Sequence, residues 1–228
     1  MRSDPPTTEQ PPGAGSSHSV EVERKFDVDE GTPLPDWRSV PGVASVGDAE
    51  VRQLDARYVD TEDRALARAG FALRRRSGGP DQGWHIKGPL HNGGRIELHW
   101  PLDEGDPDPV VVPAAIRAHL STLTDAAGAP VLGGADALEP LARIRNTRTA
   151  YALRADDGGL VAEFVDDHVD ATDERSGAER PWREWEFELG PAAPDDHEAL
   201  FAAVDEAVLA VGGRHAASAS KLARALGA

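Results

Sequence analysis

The stretch "SVEVERKFDV", residues 19–28, decides how the rest of the chain is read. As an extended strand it puts Val20, Val22, Arg24 and Phe26 on one face and Glu21, Glu23 and Lys25 on the other, because side chains alternate with period two. Two carboxylates and one ammonium then stand in a row, about 7 Å apart at each step. Such a row is either the wet side of a sheet or the wall of a site.

The same pattern recurs along the chain. In "FALRRRS" (71–77), Arg74 and Arg76 share a face, and in "GWHIKG" (83–88) His85 and Lys87 do. In "GRIELHW" (94–100), Arg95, Glu97 and His99 lie opposite Ile96, Leu98 and Trp100. "AEFVDD" (162–167) aligns Glu163, Val165 and Asp167. "REWEFEL" (183–189) sets Glu184, Glu186 and Glu188 against Trp185, Phe187 and Leu189. A half-solvated antiparallel sheet alternates too, and that reading suffices for any single strand. It does not account for faces of nearly pure charge with largely one sign per strand, because like charges on one face repel.

Closing about eight antiparallel strands into a barrel resolves the conflict. The apolar faces, Trp84, Trp100 and Trp185 among them, then pack outward against helices, and the charged faces line the interior. Charges taken from water must be paired or must hold ligands. The inward set holds seven cations (Lys25, Arg74, Arg76, Lys87, Arg95, Arg148, Lys221). It also holds eight anions (Glu21, Glu23, Glu97, Glu163, Asp167, Glu184, Glu186, Glu188), for a net charge of −1. Two divalent cations bring the lumen to +3 and make a polyanion its natural guest. Carboxylate oxygens, in a chain without cysteine, suit Mg²⁺ or Mn²⁺. Arginines and lysines on the facing wall suit phosphate oxygens. The residues point to metal-dependent phosphoryl chemistry.

Composition narrows the alternatives. The 228 residues are 39% hydrophobic and carry a net charge of −16, which argues against broad attraction to nucleic acid. No segment approaches the apolar length of a membrane span, and the N-terminus lacks the basic and apolar regions of a secretory signal. Zero cysteines exclude disulfides and thiolate metal sites, and suit a cytoplasmic setting. Of 24 basic residues only Lys25, Lys87 and Lys221 are lysine, and all three fall in the inferred lining. Lysine is a compact point charge, unlike the planar arginine fork. No GxxxxGK loop or HExxH spacing is present.

The expected class is α+β: an eight-stranded antiparallel barrel with helices outside it. Residues 1–18 read as a disordered tail, and 19–228 as one domain. Strands are expected from Val20 to Val28 and over 51–61, 71–77, 83–89, 94–102, 143–153, 159–171 and 181–190. Helices are expected around Asp36–Ser39, after a capping Thr61 up to Gly70, and over 112–123, 195–212 and 218–226. A Gly-rich loop covers 124–135.

These residues resemble the CYTH superfamily, the triphosphate tunnel metalloenzymes. "EVERK" matches the ExExK motif of that family. "YVDT" (58–61), "LRRR" (73–76), "WHIK" (84–87), "RIE" (95–97), "RNTR" (145–148), "VDD" (165–167), "REWEFEL" and "SKLARAL" (220–226) follow in order. The chain is most similar to the CYTH half of actinobacterial proteins that carry a further helical CHAD domain, and is expected to hold the CYTH part alone. The resemblance implies a tunnel barrel that hydrolyses inorganic triphosphate or thiamine triphosphate, or cyclises ATP.

By that resemblance Glu21 and Glu23 bind a metal together with Glu184 and Glu186, while Glu97 and Asp167 help place a second metal and its water. Lys25, Arg74, Arg76, Lys87, Arg95, Arg148 and Lys221 hold phosphates, and Glu21, Glu23, Lys25, Glu97 and Asp167 form the catalytic group. Glu163 and Glu188 are left without a firm role, and Tyr58 and Asp60 are expected to orient the barrel. The leading expectation is a hydrolase of tripolyphosphate using two Mg²⁺ or Mn²⁺ ions, with a small-molecule triphosphate as its partner, and neither nucleic acid nor membrane. A thiamine triphosphatase or adenylate cyclase, and a non-catalytic polyphosphate- or nucleotide-binding module, are the alternatives. Oligomeric state is left open.

Overall fold

The segment expected as one strand is two, divided at Val22: β1 (Ser17–Glu21) and β2 (Glu23–Val28). The structure, a computed structural model, describes residues 17–91, 94–102, 110–133, 137–218 and 220–227. Residues 1–16 of the expected tail lie outside these, and Ser17 and His18 already belong to β1. The other strands are β3 (Ser45–Val46), β4 (Glu50–Asp60), β5 (Ala72–Ser77), β6 (Gly83–His91) and β7 (Gly94–Trp100). They continue with β8 (Glu139–Arg154), β9 (Leu160–Asp173), β10 (Glu179–Leu189) and β11 (Arg214–His215). The helices are α1 (Ala65–Arg68), α2 (Ala114–Leu120), α3 (His197–Ala210) and α4 (Lys221–Ala225), with a 3-10 turn at Trp37–Ser39.

All pairs are antiparallel, in the order β1-β7-β6-β5-β4-β8-β9-β10-β2, with β11 added to β2 and β3 to β8. The first and last strands of that path are the two halves of one chain segment. β1 pairs with β7 and β2 with β10, so the sheet closes on itself through Val22 and has eight walls. This is the expected α+β barrel, with an interior and an exterior face on every strand.

The exterior faces are covered as the alternation requires. On one side α3 buries Leu200, Phe201, Val204 and Val208 against Phe164, Trp185 and Phe187 of β9 and β10. Each such side chain contributes about 1.5–3 kcal/mol. Asp196 caps α3 by accepting from the Ala199 amide at 3.0 Å. On the other side α2 buries Ile116 and Leu120 against Leu73, Trp84, Ile86 and Trp100. At α1, Asp60 takes the amides of Leu66 and Ala67, and Thr61 takes that of Ala65. Asp60 is thus a capping residue turned away from the lumen.

The interior is not charged throughout. Toward one end Ala56, Ala142, Ile144, Val169 and Ala171 pack with Leu222 and Ala225 of α4. The charged lining is therefore concentrated in the remaining length of the barrel. Among the described residues no helix is long and apolar enough to cross a membrane.

Candidate active site

Sheet register gathers the charged side chains. Across β2, β10, β9, β8 and β4, Asp27, Glu184, Asp167, Arg148 and Arg52 stand opposite one another in a row. In the next row Lys25 faces Glu186. On the far wall Lys87 of β6 faces Glu97 of β7, and Arg95 of β7 faces Glu21 of β1. The cavity between these walls has a volume of about 90 Å³. Its lining includes the three lysines of the chain, together with Arg74, Arg76, Arg95 and Arg148.

One acidic centre is Asp167, Glu184 and Glu186, all buried, with one oxygen from each lying within 4.8 Å of the others. The Lys221 ammonium sits among them, 2.9 Å from Asp167 Oδ2, 2.7 Å from Glu186 Oε1 and in an ion pair with Glu184. Arg148 makes a two-pronged contact with Asp167 (2.8 and 2.7 Å) and reaches Glu186 at 2.7 Å. Lys25 pairs with Glu186 and lies 2.9 Å from Glu23. Burial opposes ionisation of Glu186, but Lys221, Lys25 and Arg148 outweigh it and hold the carboxyl well below its usual range. Burial likewise opposes the charge on Lys221, and Asp167, Glu186 and Glu184 keep it protonated far above the ordinary lysine value.

A second centre joins Glu21 and Glu97. Lys87 bridges them, paired with Glu21 and 3.4 Å from Glu97. Arg74 lies 3.4 Å from Glu97, and His85 Nδ1 lies 2.5 Å from it. Burial, reinforced by a hydrogen bond to Glu97, pushes the Glu21 carboxyl up to about 7. Burial acts on Glu97 as well, but His85, Glu21, Lys87 and Arg74 hold it well below the carboxylate range. Glu21 can therefore take up or release a proton near neutral pH while Glu97 stays charged.

The grouping differs from the expected one. Asp167 joins Glu184 and Glu186, while Glu97 joins Glu21 on the neighbouring strands β7 and β1. Glu23 stands between, in register with Glu188, whose carboxyl is raised by burial and by Glu23. Of the six expected metal ligands, Asp167, Glu184 and Glu186 lie together, Glu21 and Glu97 share Lys87, and Glu23 pairs with Lys25.

The basic residues carry a further asymmetry. Arg74, Arg76 and Arg148 crowd one another; burial and the two neighbouring guanidiniums push Arg76 down to about 9. Arg74 Nε and Arg76 Nε are buried donors with no hydrogen-bond partner. Buried polar groups are nearly always satisfied, and both side chains line the cavity, so this wall is short of acceptor oxygens.

Sequence reasoning missed several neighbours. Tyr58, expected to orient the barrel, lines the cavity with its hydroxyl 3.5 Å from Arg74. Arg52 reaches Glu163 at 3.0 and 3.1 Å, which gives Glu163 a partner on the wall beside Arg148. Their signal was available: Arg52 and Tyr58 share the alternating face of β4 with Leu54 and Ala56.

The sequence profile of the CYTH domain matches residues 19–226. The chain belongs to the CYTH family. Two curated relatives, uncharacterized proteins from two Mycobacterium tuberculosis strains, are each 37% identical over 224 residues, covering 92% of this chain. The chain spans 40% of the length of these CYTH relatives. Among solved structures, a candidate adenylate cyclase from Bacillus halodurans aligns with a TM-score of 0.60 at 18% identity, covering 91% of this chain and 97% of that one. A candidate adenylyl cyclase from Hippeastrum, described as having a dominant triphosphatase activity, aligns with a TM-score of 0.51 at 15% identity, covering 91% and 95%. At these identities the likeness speaks for a shared CYTH fold.

Proposed function

We propose that the protein is a metal-dependent hydrolase of a short linear polyphosphate, with inorganic tripolyphosphate as its leading substrate. The observation that carries this reading is the pair of orphan guanidinium donors, Arg74 Nε and Arg76 Nε, beside Arg148 in a cavity shared with buried carboxylates. Arginine forks and lysine ammoniums recognise phosphate oxygens. Tyr58 is the sole aromatic among the described lining residues, so a platform for a base or a thiazolium ring has little support.

Asp167, Glu184 and Glu186 form an all-oxygen donor set of the kind that hard divalent cations take, provided the Lys221 ammonium that now pairs with all three gives up its place to the ion. Bound there, Mg²⁺ or Mn²⁺ would neutralise phosphate charge and lower the pKa of a coordinated water. The chain's own residues do the rest. Lys25, Lys87, Arg74, Arg76, Arg148 and Lys221 hold the phosphates and stabilise the charge that develops as the anhydride breaks. Glu21, poised near 7, accepts the proton as a water oxygen attacks the terminal phosphorus in line. The P–O bond to the bridging oxygen breaks, and pyrophosphate leaves with its charge shared by the basic wall. The names of the Bacillus and Hippeastrum neighbours keep ATP cyclisation as the second reading.

The test is phosphate release from tripolyphosphate, ATP and thiamine triphosphate with Mg²⁺ or Mn²⁺, in the wild type and in Glu23→Gln. Rapid metal-dependent release from tripolyphosphate, lost in the variant, supports the reading. Pyrophosphate release from ATP without hydrolysis moves it to a cyclase. No turnover with tight tripolyphosphate binding replaces it with a binding module.

A further inference from the structure

The hairpin loop between β5 and β6 carries an anion into the phosphate-binding wall. Asp81 pairs its carboxylate with Arg76, and its carbonyl accepts from Arg76 Nη2 at 3.4 Å. The same carbonyl lies 3.0 Å from His85 Nε2. Arg76 is 7% exposed at its side chain, whereas Asp81 is 59% exposed. The cation is thus fixed in the wall and the anion comes to it from the solvent side. The approach is built into the backbone. Gly78 has φ +80°, and a Cβ there would come within 1.9 Å of Gln53 O, so the loop is held tightly against β4.

We propose that Asp81 is a resident counter-anion at the Arg76 phosphate subsite, one that an incoming polyphosphate must displace before its end can occupy that subsite. This deepens, and rests on, the reading of the cavity as a polyphosphate site. A carboxylate offers the Arg76 fork the same paired oxygens as a phosphate, and both cannot hold it at once. Displacement returns Asp81 to water, where its exposure makes release inexpensive. The cost falls on any anion long enough to reach Arg76, and spares one that sits only on the opposite wall. Asp81 therefore acts on binding through Arg76 and sets which anions are penalised.

Calorimetric titration of metal-free protein with tripolyphosphate and with pyrophosphate tests this, using the wild type, Asp81→Asn, Arg76→Gln and the double variant. Asp81→Asn is expected to tighten tripolyphosphate binding about tenfold, and to change nothing in the Arg76→Gln background. An unchanged or weakened affinity in Asp81→Asn, with thermal stability retained, overturns the proposal, as does the same gain with Arg76 removed. Wild type and Asp81→Asn that both fail to bind tripolyphosphate, with Mg²⁺ or Mn²⁺ added as well as without it, would instead overturn the polyphosphate reading itself.

Discussion

The Lys221 ammonium stands 2.9 Å from Asp167 Oδ2, at the centre of the acidic trio. A side chain of the protein thereby supplies the positive charge that three buried carboxylates require. Removing it leaves uncompensated charge, which costs about 3–5 kcal/mol. Lys221→Met should lower unfolding stability by that order in metal-free urea titrations. Millimolar Mg²⁺ or Mn²⁺ should restore more stability to the variant than to the wild type, because the cation then binds a native state with a vacant positive position. Equal stabilisation of both proteins would count against a metal position at the trio.

Arg76 should act on binding more than on chemistry. A hydrogen bond to a charged group is worth about 1.5–3 kcal/mol. Arg76→Gln should therefore raise KM for tripolyphosphate about tenfold or more, with kcat lowered less. Steady-state kinetics decide it, and a pure loss of kcat would place Arg76 on the reacting phosphorus.

Glu21 predicts a pH dependence of stability. Its folded value, about 7, lies above its ordinary 4.5. Between those values the folded state binds more protons than the unfolded state, so stability falls as pH rises from about 4.5 to 7. The Glu21 contribution is fully present below the lower value and lost above the upper. It is at most about 3 kcal/mol, since one pKa unit is about 1.4 kcal/mol and the group is partly solvated. Chemical denaturation of metal-free protein across that window should slope downward, and Glu21→Gln should flatten the slope.

On the outer face Arg183 organises the loop after β2. It grips Asp166 at 2.8 and 2.9 Å and donates to the carbonyls of Asp29, Glu30 and Thr32 at 2.8–3.0 Å. Lysine cannot reproduce a planar fork that serves five contacts. Arg183→Lys should cost about 3 kcal/mol or more, read as a shift in denaturation midpoint at unchanged m-value.

Much of this was legible in the sequence where one strand carries its own contrast. Glu184, Glu186 and Glu188 against Trp185, Phe187 and Leu189 announce an inside and an outside without any partner. The three lysines, rare in an arginine-rich chain, all line the cavity. The break at Val22 was not legible, because it arises from pairing with β7 and β10, both distant in sequence. Nor was the apolar end of the lumen, which depends on α4 folding back over Ala142 and Ile144. Arg52 and Tyr58 escaped because their face of β4 also carries Leu54 and Ala56, which dilutes the charge pattern. The contact between Glu21 and Glu97 through Lys87 follows from the pairing of β1 with β7, which joins segments distant in sequence.

The closure at Val22 has a consequence for the order of events in the cell. Residues 17–28 emerge from the ribosome before any wall they join, and β2 cannot pair until Glu179–Leu189 has been made. During that interval an unpaired strand bearing Phe26 and Val28 waits in the open, the kind of edge that other chains can capture. Its alternate residues Glu23, Lys25 and Asp27 are charged. Glu23 and Lys25, which later line the cavity, thus also oppose sticking of the nascent strand to its neighbours.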